Sequence, residues 1–400
     1  MLKTGAFPKK SSRSRESNPK KVCTMKVCKE CIIPDSFPSV TFSNGICSFC
    51  RDSKQLTNNQ NTKGSGRLRE ILRSKKTDSY DCIVPMSGGK DSSYILYYAV
   101  RELGLKPLAL FFYSGFANDL CKKNVEDICK KLAVDLIVVK STNFRRKAVR
   151  EALYISKYTK RFWEGICGNC ENNLRTAAIN EATKRKIPSI LWGSTLYEEF
   201  IPGKYEKRRR FQEARTFGER KTIKLLINYI LTYRILLRCR KITEYIRTLT
   251  HKLKYDFYVI RDNIDTKAPE GWRKFVPFLE VSFKNKKVQT IYFFDYVPYD
   301  PHNQIETLKT ELEWKAPFDK ETRWDCKLHC FPQYDFLRRT GITMDGFILA
   351  NLVRNRLLTR ADALEKEETM NKELIRECQE TLEELGFNYN IIDKKGCKNY

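Results

Sequence analysis

At 400 residues the chain has room for one large domain with additions, or for two domains. It holds 15 cysteines and a formal net charge of +27, and no apolar run reaches membrane-spanning length without charges, which argues against a helical membrane protein. No signal peptide opens the sequence, so the expectation is a cytoplasmic protein whose cysteines are reduced or metal-bound rather than a disulfide scaffold.

The charge is unevenly placed. Residues 1–26 carry +7 and residues 204–254 carry +12, together 19 of the 27. It therefore belongs to two appendages, whose candidate partners are nucleic acid, an acidic protein or anionic lipid. A solvated basic surface needs none of these.

In chain order, residues 1–26 are Lys-, Ser- and Arg-rich and read as a disordered tail. Residues 27–54 follow as a small module built on Cys28-x2-Cys31 and Cys47-x2-Cys50. Each C-x-x-C pair can supply two thiolates to a tetrahedral Zn²⁺, and Gly45 suits the turn of the second knuckle. No acid, base or open ligand position accompanies the four thiols, so the expected role is structural. Residues 51–66 read as a linker, and Arg67–Lys75 as a helix.

The stretch Tyr80–Leu103 (YDCIVPMSGGKDSSYILYYAVREL) comes next. Tyr80–Pro85 is an apolar run of strand length, Ser87–Ser93 breaks it, and Tyr94, Leu96, Tyr97, Val100 and Leu103 recur at helical spacing. Strand, glycine turn and helix present a helix N-terminus to a ligand, where unpaired N–H groups and the dipole favour an anion. Gly88 and Gly89 let phosphate oxygens approach the backbone, while Ser87, Ser92 and Ser93 offer hydroxyls and Lys90 a charge. Asp91 faces phosphate only with a cation between them, which makes it a Mg²⁺ ligand. The Walker A pattern is absent.

Further strands are expected at Lys106–Tyr113, Asp135–Val139 and Ile187–Gly193, with helices at Asn118–Leu132 and Phe144–Tyr158. Alternating strands and helices predict an α/β fold with a doubly wound parallel sheet over residues 67–203. Its ligand site should lie beyond the carboxyl ends of the strands, near Tyr113 and Gly193. Cys167 and Cys170 are expected to open a helix running from Glu171 to Lys184. They could be redox-active, merely packed, or half of a second metal site completed by Cys326, His329 or Cys330.

Residues 204–254 read as a basic helical insertion that could dock on a membrane surface, a nucleic acid or the protein's own core. Within 255–400, strands are expected at Phe275–Phe283 and Lys287–Tyr296. Tyr292–Asp300 is dense in aromatics with two acids, a face that is core or a platform for a sugar. The last sixty or so residues should be helical, with Thr359-Arg-Ala-Asp362 starting one helix.

The pattern S-G-G-x-D-S resembles the PP-loop of ATP pyrophosphatases, which cleave ATP between the α- and β-phosphates. Several stretches together are similar to the N-acetyl sugar amidotransferases of that superfamily. These are C-x-x-C-x-x-P (Cys28–Pro34), N-G-x-C-x-x-C (Asn44–Cys50), D-C-I-V-P-M-S-G-G-K-D-S, the Cys167/Cys170 pair, I-P-S-I-L-W-G and F-D-Y-V-P-Y-D. The resemblance implies a PP-loop (adenine nucleotide alpha hydrolase-like) sheet, with ATP on Ser87, Gly88, Gly89, Asp91, Ser92, Ser93, Tyr113 and Gly193, and with Lys90 and Asp91 catalytic. It also implies a sugar or sugar-nucleotide substrate for surface polysaccharide and ammonia from a separate glutaminase subunit. Two departures stand out: Ser194-Thr195 where the family typically has an acid, with Glu198 and Glu199 later, and the length of the basic stretch. The rival resemblance is to PP-loop tRNA thiolases, in which the internal C-x-x-C carries sulfur or an iron–sulfur cluster and the basic stretches bind tRNA.

Overall fold

The computed structural model describes residues 26–38, 40–53, 62–74, 79–140, 143–156, 163–195, 197, 250–251, 253–254, 257, 288–316 and 324–386. The tail 1–25, the expected strand at Phe275–Phe283 and nearly all of the basic stretch 204–254 lie outside these residues.

Five short apolar segments form one parallel sheet: β3 (Cys82–Met86), β4 (Pro107–Tyr113), β5 (Leu136–Lys140), β6 (Ser189–Trp192) and β7 (Gln289–Tyr292). A separate hairpin of β1 (Phe42–Ser43) and β2 (Ile46–Cys47), followed by helix α1 (Ser48–Ser53), belongs to the cysteine-rich segment. The large sheet runs β5-β4-β3-β6-β7. The chain winds outward from β3 through β4 to β5, then returns to place β6 and β7 on the other side. That is the expected doubly wound order, with its switch point between β3 and β6. Lys287–Tyr296 supplies β7, which stops at Tyr292 because Phe293–Asp295 turns into a 3-10 helix.

Alternation along the strands assigns the two faces. Cys82, Val84, Met86, Ala109 and Phe111 point into a core shared with α2 (Ser65–Arg73), α3 (Lys90–Arg101) and α4 (Asp119–Lys131). Ile83, Leu108, Leu110 and Phe112 point the other way, onto Ala177, Ala178 and Ala182. A sheet covered on both sides needs strands that are apolar throughout, as β4 (PLALFFY) is.

The helices begin at legible caps. Asn118 accepts from Leu120 N–H at the start of α4. The next helix, α5 (Asn143–Ser156), is followed by α6 (Trp163–Lys184). Asp300 accepts from Asn303 N–H, with Pro301 in the first turn of α7 (Pro301–Leu312). After α8 (Cys330–Thr340), Thr343 caps α9 (Met344–Arg354) and Thr359 accepts from Asp362 N–H to start α10 (Arg360–Glu384), as its T-x-x-D pattern predicts. One expectation fails: α6 starts at Trp163, not Glu171. Cys167 and Cys170 therefore lie inside the helix, and the thiol activation expected of a helix N-terminus does not apply to them. No described helix is long and apolar enough to cross a membrane.

Helices α9 and α10 meet over a buried acid. Glu367 accepts from Thr343 N–H at 2.8 Å and from the Thr343 hydroxyl at 2.6 Å. Burial pushes its carboxyl up to about 7 against those bonds, and Asp345 adds to the rise. A folded pKa above the unfolded one means stability is fully present below about pH 4 and is lost as pH climbs through 7. The loss should be on the order of 3 kcal/mol. Denaturant titrations at pH 5 and pH 8 should show that fall, and Glu367→Gln should flatten it. An equal slope in the variant would place the titration elsewhere.

Candidate active site at the glycine loop

Strand β3 delivers Ser87 to the switch point, and the chain turns there because Gly88 adopts φ +84°. A Cβ on Gly88 would lie 2.2 Å from the Cys121 carbonyl oxygen, so both space and conformation demand glycine. Gly89 differs: φ is −73°, and an added Cβ would meet only Ser87 Oγ at 3.4 Å. It leaves α3 without a side-chain cap, so the first-turn amides keep their affinity for an anion.

The loop is braced from several sides. Ser92 Oγ accepts from Ser87 N–H at 3.1 Å, lies 3.3 Å from Ser87 Oγ and donates to Gly89 O at 3.2 Å. Trp314 Nε1 and Asn124 Nδ2 both donate to the Gly88 carbonyl, at 3.0 and 3.3 Å. Neither of these last two was anticipated. Asn124 was legible as a polar residue on the buried face of α4, beside Cys121, Val125 and Ile128. Of the expected phosphate contacts, the Ser93 hydroxyl is fully buried and belongs to the core side of α3.

Lys90 Nζ donates to Asp91 Oδ1 at 2.9 Å, to Asp91 Oδ2 at 3.0 Å and to the Tyr299 hydroxyl at 2.7 Å. Burial alone would lower its pKa, but the Asp91 carboxylate and Tyr299 outweigh burial and hold it above the usual lysine range. It is a fixed cation at the mouth of the loop. Tyr299 comes from F-D-Y-V-P-Y-D, and its ring lies 5.0 Å from Phe294 and 5.3 Å from Tyr197. The two acids of that stretch have structural duties: Asp300 caps α7, and Asp295 pairs with Lys63 at 3.6 Å.

The other expected positions fall at the same edge of the sheet. Tyr113 ends β4, and Gly193 follows β6, where an added Cβ would come 2.8 Å from Ile95 Cδ1. Arg175 stacks over Trp192 at 4.0 Å and pairs with Glu171 at 3.0 Å, closing the α6 side. Glu198 and Glu199 lie outside the described residues. Residues 116–118 pair with 325–327 through an Ala117–Cys326 bridge, which brings Cys326 to the carboxyl end of β4. Burial pushes the Cys326 thiol well up, and Cys170, Asp325 and Cys167 add to the rise. Among the described residues, Cys167, Cys170 and Cys326 do not come together as a metal-holding group, so the expected second metal site does not form.

The four N-terminal cysteines converge. Their sulfurs all lie within 4.8 Å of one another, and all four are buried. Gly45 makes the turn at φ +80°, and Cys47 N–H and Ile33 N–H donate to Cys28 Sγ and Cys31 Sγ at 3.3 and 3.5 Å. The Cys47 and Cys50 thiols and the nearby Arg354 guanidinium hold Cys31 below the usual thiol range, whereas Cys31 in turn pushes Cys47 up. A buried thiolate with three thiols around it is a donor set that could hold Zn²⁺.

No family model matches the chain. An uncharacterized protein of Methanocaldococcus jannaschii is 27% identical over 150 residues, 37% of this chain and 47% of that protein. The chain thus spans about half the length of the curated relative it matches. Among solved structures, the NH3-dependent NAD synthetase from Campylobacter jejuni, in complex with the nitrate ion, is similar at 14% identity. That match covers 51% of this chain and 95% of the synthetase at a TM-score of 0.25. The fold class stands on the strand order, not on that overlap.

Proposed function

We propose that this chain is an ATP-dependent amidotransferase that forms AMP and pyrophosphate, acting on the N-acetyl group of a sugar destined for surface polysaccharide. The observation that carries the reading is the meeting of Lys90, Asp91 and Tyr299. They come from S-G-G-K-D-S and F-D-Y-V-P-Y-D, two of the stretches on which the family resemblance rests, and they form one polar cluster.

The amide oxygen attacks the α-phosphorus of ATP, and the bond to the bridging oxygen of the β-phosphate breaks. Pyrophosphate leaves, and an O-adenylated imidate remains. Ammonia, drawn from a separate glutaminase, then adds to the imidate carbon. The carbon–oxygen bond breaks, AMP departs, a proton is lost, and the acetamido group has become acetamidino. Lys90 and the amides of Gly89 and the first turn of α3 stabilise the charge growing on pyrophosphate. The Asp91 carboxylate, 30% exposed at the loop–helix junction, is the hard oxygen donor a Mg²⁺ bound to phosphates requires. The cation would neutralise phosphate charge beside that carboxylate.

The test is product analysis by phosphorus NMR. With an amide-bearing acceptor and ammonia, the wild type should yield AMP and pyrophosphate. Asp91→Ala should fold normally and lose roughly 100-fold or more of that turnover. ADP and phosphate as products would refute the assignment.

A second reading has one observation in its favour: the Ala117–Cys326 bridge carries a buried thiol to the carboxyl end of β4, the sheet edge where the glycine loop lies. A thiol there could pass sulfur to an adenylated base, as in a tRNA thiolase that binds RNA through the basic stretches. Both readings share the adenylation. They part on the atom that displaces AMP, so nitrogen or sulfur in the product separates them.

A further inference from the structure

We infer that Tyr299, Asn351 and Arg354 are positioning residues that tie Lys90 of the glycine loop to the cysteine cluster. The inference rests on the amidotransferase reading only for the importance of Lys90; the relay itself is geometric.

The relay can be followed bond by bond. Arg354 Nη1 donates to Cys31 Sγ at 3.3 Å. Its other terminal nitrogen donates to Asn351 Oδ1, one turn earlier on α9. Asn351 Nδ2 donates to the Tyr197 carbonyl at 2.8 Å. The Tyr197 ring lies 5.3 Å from the Tyr299 ring, and the Tyr299 hydroxyl accepts from Lys90 Nζ at 2.7 Å. Each link joins a different part of the chain: the cysteine segment, α9, the loop after β6, the turn before α7, and the start of α3.

Chemistry gives the relay a purpose. A lysine ammonium on a flexible stem is a poor fixed charge unless its donors are occupied. Asp91 occupies two of the three Lys90 contacts but must turn to phosphate-bound cation during a reaction. Tyr299 is the contact that persists. Its hydroxyl can be placed only as well as its ring is, and the ring is held by Phe294 and Tyr197. Tyr197 in turn sits on a loop just after β6, anchored by Asn351. Arg354 is held on both sides, by Cys31 and by Phe49 and Phe347 under its guanidinium at 5.6 and 5.9 Å. The cysteine cluster thereby acts as a fixed post for a catalytic cation contributed by a distant loop.

The experiment needs no nucleotide. Lys90 is labelled with a limiting amine-acylating reagent in the full-length protein, and its rate is read by peptide mass spectrometry against the exposed Lys372. Among the described residues, Asp91 and Tyr299 are the groups facing the Lys90 ammonium. Tyr299→Phe keeps the ring and removes the hydroxyl. It should raise Lys90 labelling about fivefold and move its onset to lower pH, while Lys372 stays unchanged. Asn351→Asp keeps the acceptor for Arg354 and removes the donor to Tyr197; Asn351→Ala removes both. At unchanged melting temperature either should raise Lys90 labelling in the same direction, and the double variant with Tyr299→Phe should exceed neither single change by much. Wild-type labelling of Lys90 in Tyr299→Phe, or in both folded Asn351 variants, would overturn the relay. A failure to make AMP would sink the amidotransferase reading and leave this result standing.

Discussion

Gly88→Ala should be among the most damaging single-atom additions this chain can suffer. The new Cβ would sit 2.2 Å from the Cys121 carbonyl oxygen and 2.7 Å from its carbon, both backbone atoms that cannot swing aside. The position also holds φ +84°, where a side chain is strained regardless of space. Strain of about 1–2 kcal/mol and overpacking of about 1–3 kcal/mol together approach half of a typical domain's stability. The carbonyl of Gly88 holds Trp314 and Asn124, so a shifted loop would also strand the buried Trp314 N–H and cost Asn124 one of its two bonds, the one to Lys315 remaining. Gly89→Ala is the control. Its backbone is ordinary and its new methyl meets only Ser87 Oγ at 3.4 Å, so stability should change by less than about 1 kcal/mol. On the proposed ATP-dependent reading, that methyl would instead enter the space through which phosphate reaches the amides, and ATP affinity should fall about tenfold or more. Urea denaturation and ATP titration calorimetry on the two variants read both quantities. A Gly88→Ala protein as stable as the wild type would mean that the loop does not pass under Cys121 as described.

The strands were legible because their burial leaves a simple trace. Runs such as Pro107–Tyr113 are apolar at every position, which only a sheet covered on both faces requires. The start of α6 was not legible, because Gly165 precedes the cysteine pair and Gly168 sits within it, and glycine is a poor helix former. Each glycine costs a helix about 1 kcal/mol, and packing of Ala177, Ala178 and Ala182 against the sheet more than offsets that. Asp300 carried a readable cue, a capping acid followed by proline, beneath the more conspicuous aromatic run. Both stretches stood out in the sequence, but the pairing of Tyr299 with Lys90 could not be read, since 209 positions separate them and nothing local says that the two side chains meet. Cysteine was misleading in number. Cys82, Cys121 and Cys129 are buried in the sheet core, where burial lifts their thiols, and they read as packing.

Removing the Zn²⁺ that we propose for the N-terminal cysteines should unfold more than the N-terminal module. The module was expected to be stapled by zinc because it is too small to bury a core, yet in the structure its core is shared. Phe37 stacks on Phe347 of α9 at 5.2 Å, and Ile32, Ile33 and Phe37 pack in one cluster with Phe336, Ile342 and Ala363. Arg360 at the start of α10 donates to the carbonyls of Cys28 and Cys31, both at 3.0 Å. Structural zinc in small modules is worth about 10–16 kcal/mol at neutral pH, as much as a whole domain's stability of about 5–15 kcal/mol. A Cys28→Ser/Cys47→Ser protein should therefore bind less than a tenth of the wild type's zinc by elemental analysis. Hydrogen exchange should then rise in Val27–Cys50 and, in step with it, in α9 and the first turns of α10. The strands β3 and β4, whose core is separate, should keep their protection longer. Undiminished zinc would put the ligands elsewhere. Zinc lost with α9 and α10 still protected would mean that those helices hold their packing without the module, and that the aromatic contacts across Phe37 and Phe347 contribute little to their stability.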